Sequence, residues 1–216
     1  MNPTPPTCLP PRAPRQPRYK LPAGAWDTHF HIMGPPENFP FSDRRPYTPP
    51  TASIETYLAT AAVLGLERGV AVQSSTHGYD PAALLDAIRK SEGRLCGMIR
   101  ADPGLQPADL RALHAEGIRG IRIELRKLDA SFDRRTFDRL VGLAADRAWV
   151  IALHVDPDNV VRFADDIRRI PAQTILENFA LVDARLGPDQ PAIRTLLDLS
   201  GEKHVWLKTA STYRMG

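Results

Sequence analysis

The chain has 216 residues, 43% hydrophobic and 25% charged, with two cysteines. That balance excludes fibrous and wholly disordered classes, and Cys8 and Cys96 are too few for a disulfide framework. The net charge of +3 belongs to a tail: residues 1–22 hold Arg12, Arg15, Arg18 and Lys20 and no acid, leaving 24 basic against 25 acidic residues in the rest.

Those 22 residues also hold eight of the 21 prolines. Proline at that density sustains neither a helix nor a central strand, so the sequence predicts a disordered arm over 1–22 and a folded part over 23–216. Four spaced charges make a weak electrostatic footprint, so a solvated leader is favoured over a nucleic-acid contact. The opening lacks an apolar signal-peptide core, and no run of about 18 apolar residues follows. A cytoplasmic protein with no membrane contact is the expectation.

From Ala25 short apolar runs alternate with amphipathic stretches. The pattern predicts strands near Ala25–Ile32, Gly69–Ser75, Leu95–Ala101, Gly117–Leu125, Trp149–Val155, Thr174–Phe179 and Val205–Thr209. Between them it predicts helices near Ser53–Leu64, Pro81–Glu92, Pro107–Glu116, Asp133–Asp146, Pro157–Arg169 and Pro191–Leu199. Asp80-Pro81, Gln106-Pro107 and Asp156-Pro157 read as helix starts; Gly65, Gly93 and Gly117 read as stops. Strict alternation means a parallel sheet. The first strand runs into Met33-Gly34-Pro35-Pro36, which is no dinucleotide fingerprint, so a TIM-type (β/α) barrel is favoured over a doubly wound sheet. Residues 33–52 have no periodicity and hold six prolines. A long loop at the end of a barrel strand points to a site.

The candidate chemistry starts at Trp26-Asp27-Thr28-His29-Phe30-His31. Strand alternation puts Asp27, His29 and His31 on one face, with Thr28 and Phe30 on the other. Two adjacent histidines suit metal ligation or polarisation of a substrate oxygen. On the fourth strand Gly120, Arg122 and Glu124 share a face. A guanidinium there invites a carboxylate, either a substrate's or an internal one from Glu124 or Asp27. Arg126 and Lys127 follow and extend the cationic reach or simply form a solvated turn. On the fifth strand Ala152 and His154 share a face. Ser75 and His77 lie near the second strand's end, Asn178 near the sixth strand's end, and Trp206 and Lys208 share a face on the seventh. Lys208 is a candidate carboxylate anchor. Cys96 reads as a strand core position, and His114 and His204 as structural or solvated.

Asp27-Thr28-His29-Phe30-His31 resembles the Asp-x-His-x-His opening of the amidohydrolase superfamily, and more closely the amidohydrolase-related branch that includes the 2-pyrone-4,6-dicarboxylate lactonases. Val72-Gln73-Ser74-Ser75-Thr76-His77-Gly78, Gly117-Ile118-Arg119-Gly120-Ile121-Arg122-Ile123, Asp189-Gln190-Pro191 and Val205-Trp206-Leu207-Lys208 continue the similarity to the last residue. The resemblance implies a hydrolase that opens a carboxylated lactone of aromatic-compound catabolism. In it His29 and His31 would be catalytic, and Arg122, His154, Asn178, Lys208, Ser75 and His77 would bind substrate. It implies no cofactor for a lactonase. For a metal-dependent decarboxylase or hydrolase of the same superfamily it implies Zn or Mn on His29, His31 and His154.

Three departures stand out. The branch often has Asn where this chain has Glu124, and Asp-His where it has Glu177-Asn178. The branch's water-activating aspartate lies on an eighth strand, within a Trp-Gly-(Thr/Ser)-Asp-Trp-Pro motif that this sequence lacks. Seven strands are readable and an eighth is not, and such barrels run to roughly 250 residues. The sequence therefore predicts a barrel truncated by one unit, with a non-catalytic form as the alternative. Its open edge would invite self-association.

Overall fold

The computed structural model describes residues 5–125 and 133–215; Arg126 and Lys127 lie outside the described residues. Seven strands form where the alternation places them: β1 Trp26–Phe30, β2 Arg68–Val72, β3 Leu95–Arg100, β4 Ile118–Glu124, β5 Val150–His154, β6 Thr174–Leu176 and β7 Val205–Leu207. The helices are α1 Ile54–Leu64, α2 Ala82–Lys90, α3 Pro107–Ala115, α4 Arg134–Ala145, α5 Pro157–Arg162, α6 Ala164–Arg168 and α7 Pro191–Leu199. The chain divides into two compact units, Met1–Arg100 with Arg111–Ile118, and Ala101–Leu110 with Arg119–Gly216.

In the first unit β1, β2 and β3 pair in parallel. Helix α2 buries Ala83, Leu84, Ala87 and Ile88, the stripe that a 3.6-residue period draws along one side. Each large apolar side chain so buried stabilises by about 1.5–3 kcal/mol. Gly97 on β3 is required by space: a Cβ there would stand 2.5 Å from Ile118 Cδ1 and 2.6 Å from Ile88 Cδ1. Helix α1 starts on Ser53, whose hydroxyl accepts from Thr56 N–H, and stops at Gly65 with φ 78°, a left-handed turn that glycine makes without a Cβ penalty.

Strand β1 departs from simple alternation. Asp27 pairs with Gly69 and Phe30 with Ala71, so three steps on β1 match two on β2. This bulge turns Asp27 to the side of Phe30, away from the face predicted for it with His29 and His31. The Phe30 ring stacks on Tyr57 of α1, centroids 3.4 Å apart and planes at 7°. Burial first, and the Asp27 carboxylate second, push the Tyr57 phenol up from its ordinary value.

The proline-rich loop is closed by a clasp. Met33 N–H donates to Ala52 O (3.0 Å) and Ala52 N–H donates to Met33 O (2.8 Å). Further along it, Thr48 N–H donates to Pro6 O at 2.8 Å and Cys8 N–H to Thr48 O at 3.0 Å, so the segment around Thr7 runs parallel to the loop.

In the second unit β4, β5, β6 and β7 pair in parallel. Ile121, Ile123, Ile151 and Leu153 form the fully buried face. Gly120, Arg122 and Glu124 oppose Val150, Ala152 and His154 in register, which leaves Arg122, Glu124, Ala152 and His154 on the other face. Helix α4 is capped by Asp133, whose side chain accepts from Thr136 N–H.

Two predicted elements end differently. The helix expected over Pro157–Arg169 bends at Phe163 (ψ 12°) into α5 and α6. Its hydrogen bonds continue across the bend, Phe163 N–H to Asn159 O and Ile167 N–H to Phe163 O, both 2.9 Å. The sixth strand, expected to reach Phe179, stops at Leu176, and Asn178, Phe179, Ala180 and Leu181 take φ of 53°, 52°, 50° and 54°. Left-handed backbone costs non-glycine residues about 1–2 kcal/mol each. The turn is held by Phe179 N–H to Lys208 O (3.1 Å) and by full burial of Ala180.

Candidate active site

The first unit gathers the β1 and β2 ends. The His29 and His31 rings meet edge to face, centroids 5.0 Å apart. His31 Nδ1 lies 2.8 Å from Val72 O. A carbonyl only accepts, so Nδ1 carries the hydrogen and the neutral ring has its lone pair on Nε2. That tautomer takes a proton at Nε2, or binds a metal there. It donates to a carbonyl oxygen, the polarising role predicted for the pair, only as imidazolium.

Strand β2 ends at Val72, short of the predicted Ser75, because the chain turns into a helical turn over Ser75–His77. Ser74 Oγ lies 2.9 Å from Thr76 Oγ1 and accepts from Thr76 N–H. Ser75, half-buried, and His77, buried, therefore share one turn. His77 Nδ1 bonds Pro40 O at 3.3 Å, its ring tilts against Phe41 with centroids 5.1 Å apart, and its buried Nε2 has no hydrogen-bond partner among the described residues. Ser42 N–H also donates to Thr76 O at 2.8 Å. The proline-rich loop is thus stitched to the β2 end.

Gln73, which the sequence reading passed over, fixes that end. Its Nε2 donates to Gly78 O (3.2 Å) and Asp80 O (2.9 Å), and its Oε1 accepts from Arg100 N–H at 2.9 Å. The signal available was a polar residue directly after an apolar strand.

The second unit gathers Arg122, Glu124, His154 and Glu177. Arg122 Nε donates to Glu177 Oε2 at 2.8 Å; Arg122 is 9% exposed and Glu177 fully buried. Arg122 Nη2 lies 2.8 Å from His154 Nδ1, Glu124 Oε2 lies 2.9 Å from the same Nδ1, and Arg122 Nη1 lies 3.7 Å from that oxygen. Nδ1 has room for one hydrogen bond in the ring plane: it accepts from Arg122 or donates to Glu124, never both. His154 Nε2 is buried without a hydrogen-bond partner among the described residues. The internal carboxylate foreseen from Glu124 is present, but the closer one comes from Glu177. Alternation alone does not give that partner: the register in which Ile175 opposes Ala152 brings Glu177, two positions further on, to the Arg122 face.

Asn178 is buried beside Glu177 in the left-handed turn. Lys208 follows β7, its N–H donating to Leu176 O at 2.9 Å. Among the described residues no group of three or more His, Cys, Asp and Glu side chains could hold a metal ion, and a protein Zn site needs three or four such ligands.

Parallel α/β units with His29 on β1, His31 just after it and a buried Arg122 on β4 carry the pattern of an amidohydrolase-type fold. The amidohydrolase family model matches residues 26–216, and the chain belongs to that family. Among its relatives is the 4-sulfomuconolactone hydrolase of Rhizobium radiobacter, 36% identical over 97% of this chain and 71% of the relative. Another is the 2-pyrone-4,6-dicarboxylate hydrolase of Comamonas testosteroni, 30% identical over 94% of this chain and 67% of the relative. A solved structure from Pseudomonas putida, assigned as a 2-pyrone-4,6-dicarboxylic acid hydrolase, superposes with a TM-score of 0.78 at 28% identity, covering 90% of this chain and 71% of that one. One from Acinetobacter baumannii, holding citric acid, has the same fold, with a TM-score of 0.80 at 24% identity over 89% and 72%.

Proposed function

We propose that this chain is a hydrolase that opens a carboxylated lactone. The observation that carries the reading is the His31 tautomer: Val72 O holds Nδ1–H, so Nε2 is the basic nitrogen. His31 takes a proton at Nε2 from water as its oxygen adds to the lactone carbonyl. Cleavage of the ring ester C–O bond, with that proton passed from His31 Nε2 to the leaving oxygen, then leaves a hydroxyl and a carboxylic acid that releases its proton to solvent as a carboxylate. His29 lies beside that ring and steadies the charge that His31 acquires. Arg122 and Lys208 hold substrate carboxylates, while Ser75, His77, His154 and Asn178 bind its remaining polar groups. The names of the relatives support the lactone class, both being hydrolases of anionic substrates.

The test is hydrolysis of a panel of carboxylated lactones. We expect turnover that falls by about 10²–10⁴-fold in His31→Asn. No turnover of any member, or turnover indifferent to His31→Asn, rejects the reading.

The same tautomer suits a metal ligand, so a metal-dependent hydrolase or decarboxylase is the second reading. Elemental analysis of unchelated protein decides it: stoichiometric Zn or Mn lost in His31→Ala favours this second reading, and metal-free protein that hydrolyses lactones removes it. No helix among the described residues is long and apolar enough to cross a membrane. A cytoplasmic location with a small-molecule substrate completes the proposal, and cell fractionation tests it.

A further inference from the structure

We propose that Glu124 is a specificity-determining residue: an internal carboxylate that occupies the place of a ligand's carboxylate on Arg122 and yields it on binding. The inference rests on the carboxylated substrate of the proposed function.

Arg122 has two carboxylate partners, and they are not equivalent. Glu177 is fully buried and takes the Nε hydrogen at 2.8 Å. Its removal from Arg122 would leave a charge with no access to water, so it is the fixed partner. Glu124 is 28% exposed, and its Oε2 stands 3.7 Å from Nη1. That separation exceeds a hydrogen bond, so Glu124 stands before Nη1 and contributes charge there without bonding it; the same Oε2 lies 2.9 Å from His154 Nδ1, a contact given up when the carboxylate turns to water, and it is exposure that sets Glu124 apart from Glu177. Glu124 is also the last residue of β4. It is the replaceable partner.

The charge count leads to the same place. Arg122, Glu124 and Glu177 sum to −1. A ligand carboxylate arriving with both glutamates in position would put three anions around one guanidinium, which like-charge repulsion disfavours. With Glu124 turned toward water, the Nη1 hydrogens are offered, and the ligand's carboxylate restores the original count. Every anionic ligand therefore works against Glu124, while an uncharged ligand of the same shape has no reason to displace it.

The test is calorimetric titration of the 216-residue protein with isophthalate, a ring with two carboxylates and no hydrolysable bond, and with isophthalamide, its uncharged twin. Glu124→Gln is expected to bind isophthalate about tenfold tighter than the parent, with isophthalamide unchanged. Glu124→Asp, which keeps the charge, is expected to stay near the parent, and Glu124→Ala to gain as Gln does. Isophthalate binding that is equal, weaker or undetectable in both neutral variants overturns the proposal, as does an equal gain in Glu124→Asp. The titration reads no hydrolysis, so failure of the lactone panel would count against the proposed function and leave this result standing.

Discussion

At the scale of single residues, the Arg122–Glu177 pair is a buried electrostatic commitment of the second unit. Two charges held 2.8 Å apart with almost no exposure gain little as a pair over apolar packing, but losing one partner strands the other. Glu177→Ala is expected to lower unfolding stability by about 3–5 kcal/mol, read by urea denaturation. Arg122→Ala with Glu177→Ala should cost clearly less than the sum of the single changes. An additive double variant would mean that the two do not act together. The sequence showed Arg122 because an arginine on an inward strand face is conspicuous. It did not show Glu177 as its partner, because the two stand 55 positions apart and only strand register brings them together.

At the scale of elements, α1 docks on β1 through the Phe30–Tyr57 stack, and that contact should be alkali-sensitive. The folded-state phenol sits above its ordinary value because burial, then Asp27, disfavour its anion. As pH rises past the ordinary tyrosine range, the unfolded chain releases this proton while the folded chain keeps it. Stability therefore falls with rising pH there and is unaffected below it. Tyr57→Phe keeps the ring stack and should remove that alkaline loss, measured as the midpoint of urea unfolding across the alkaline range; an unchanged slope would contradict it. Element existence was legible throughout, since the seven strands carry periods of two and the helices open on Ser53, Asp133 and Asp156, each an observed N-cap. Element ends were less so. The bulge between Asp27 and Phe30 and the left-handed run Asn178–Leu181 contain no glycine to announce them. Both depend on what the neighbouring strand supplies. The candidate site was read in the same measure: its histidines and arginine stood out, while the His31 tautomer required knowing that Val72 O lies opposite Nδ1.

At the scale of the whole molecule, charge and apolar surface are distributed unevenly. The arm is basic and the remainder slightly acidic. Strand β1 lies at the edge of the first unit's sheet and β7 at the edge of the second's. Each carries an exposed tryptophan, Trp26 at 46% and Trp206 at 61%. Exposed edges with large apolar side chains invite pairing between copies. Sedimentation velocity is expected to show self-association that weakens when Trp26 and Trp206 are both changed to Arg. A concentration-independent monomer would contradict it.

The clasp between Met33 and Ala52 bears on how such a chain diverges. Two hydrogen bonds fix the points where the proline-rich loop leaves β1 and returns toward α1. The entropy of closing a loop grows only slowly with its length, so insertions or deletions between those anchors disturb neither flanking element. The loop behaves as a cassette. Selection can rewrite residues 34–51, which reach the β2 end through Pro40, Phe41 and Ser42, while the scaffold on either side stays in place. New substrate preferences could then arise there without first being compensated elsewhere in the fold.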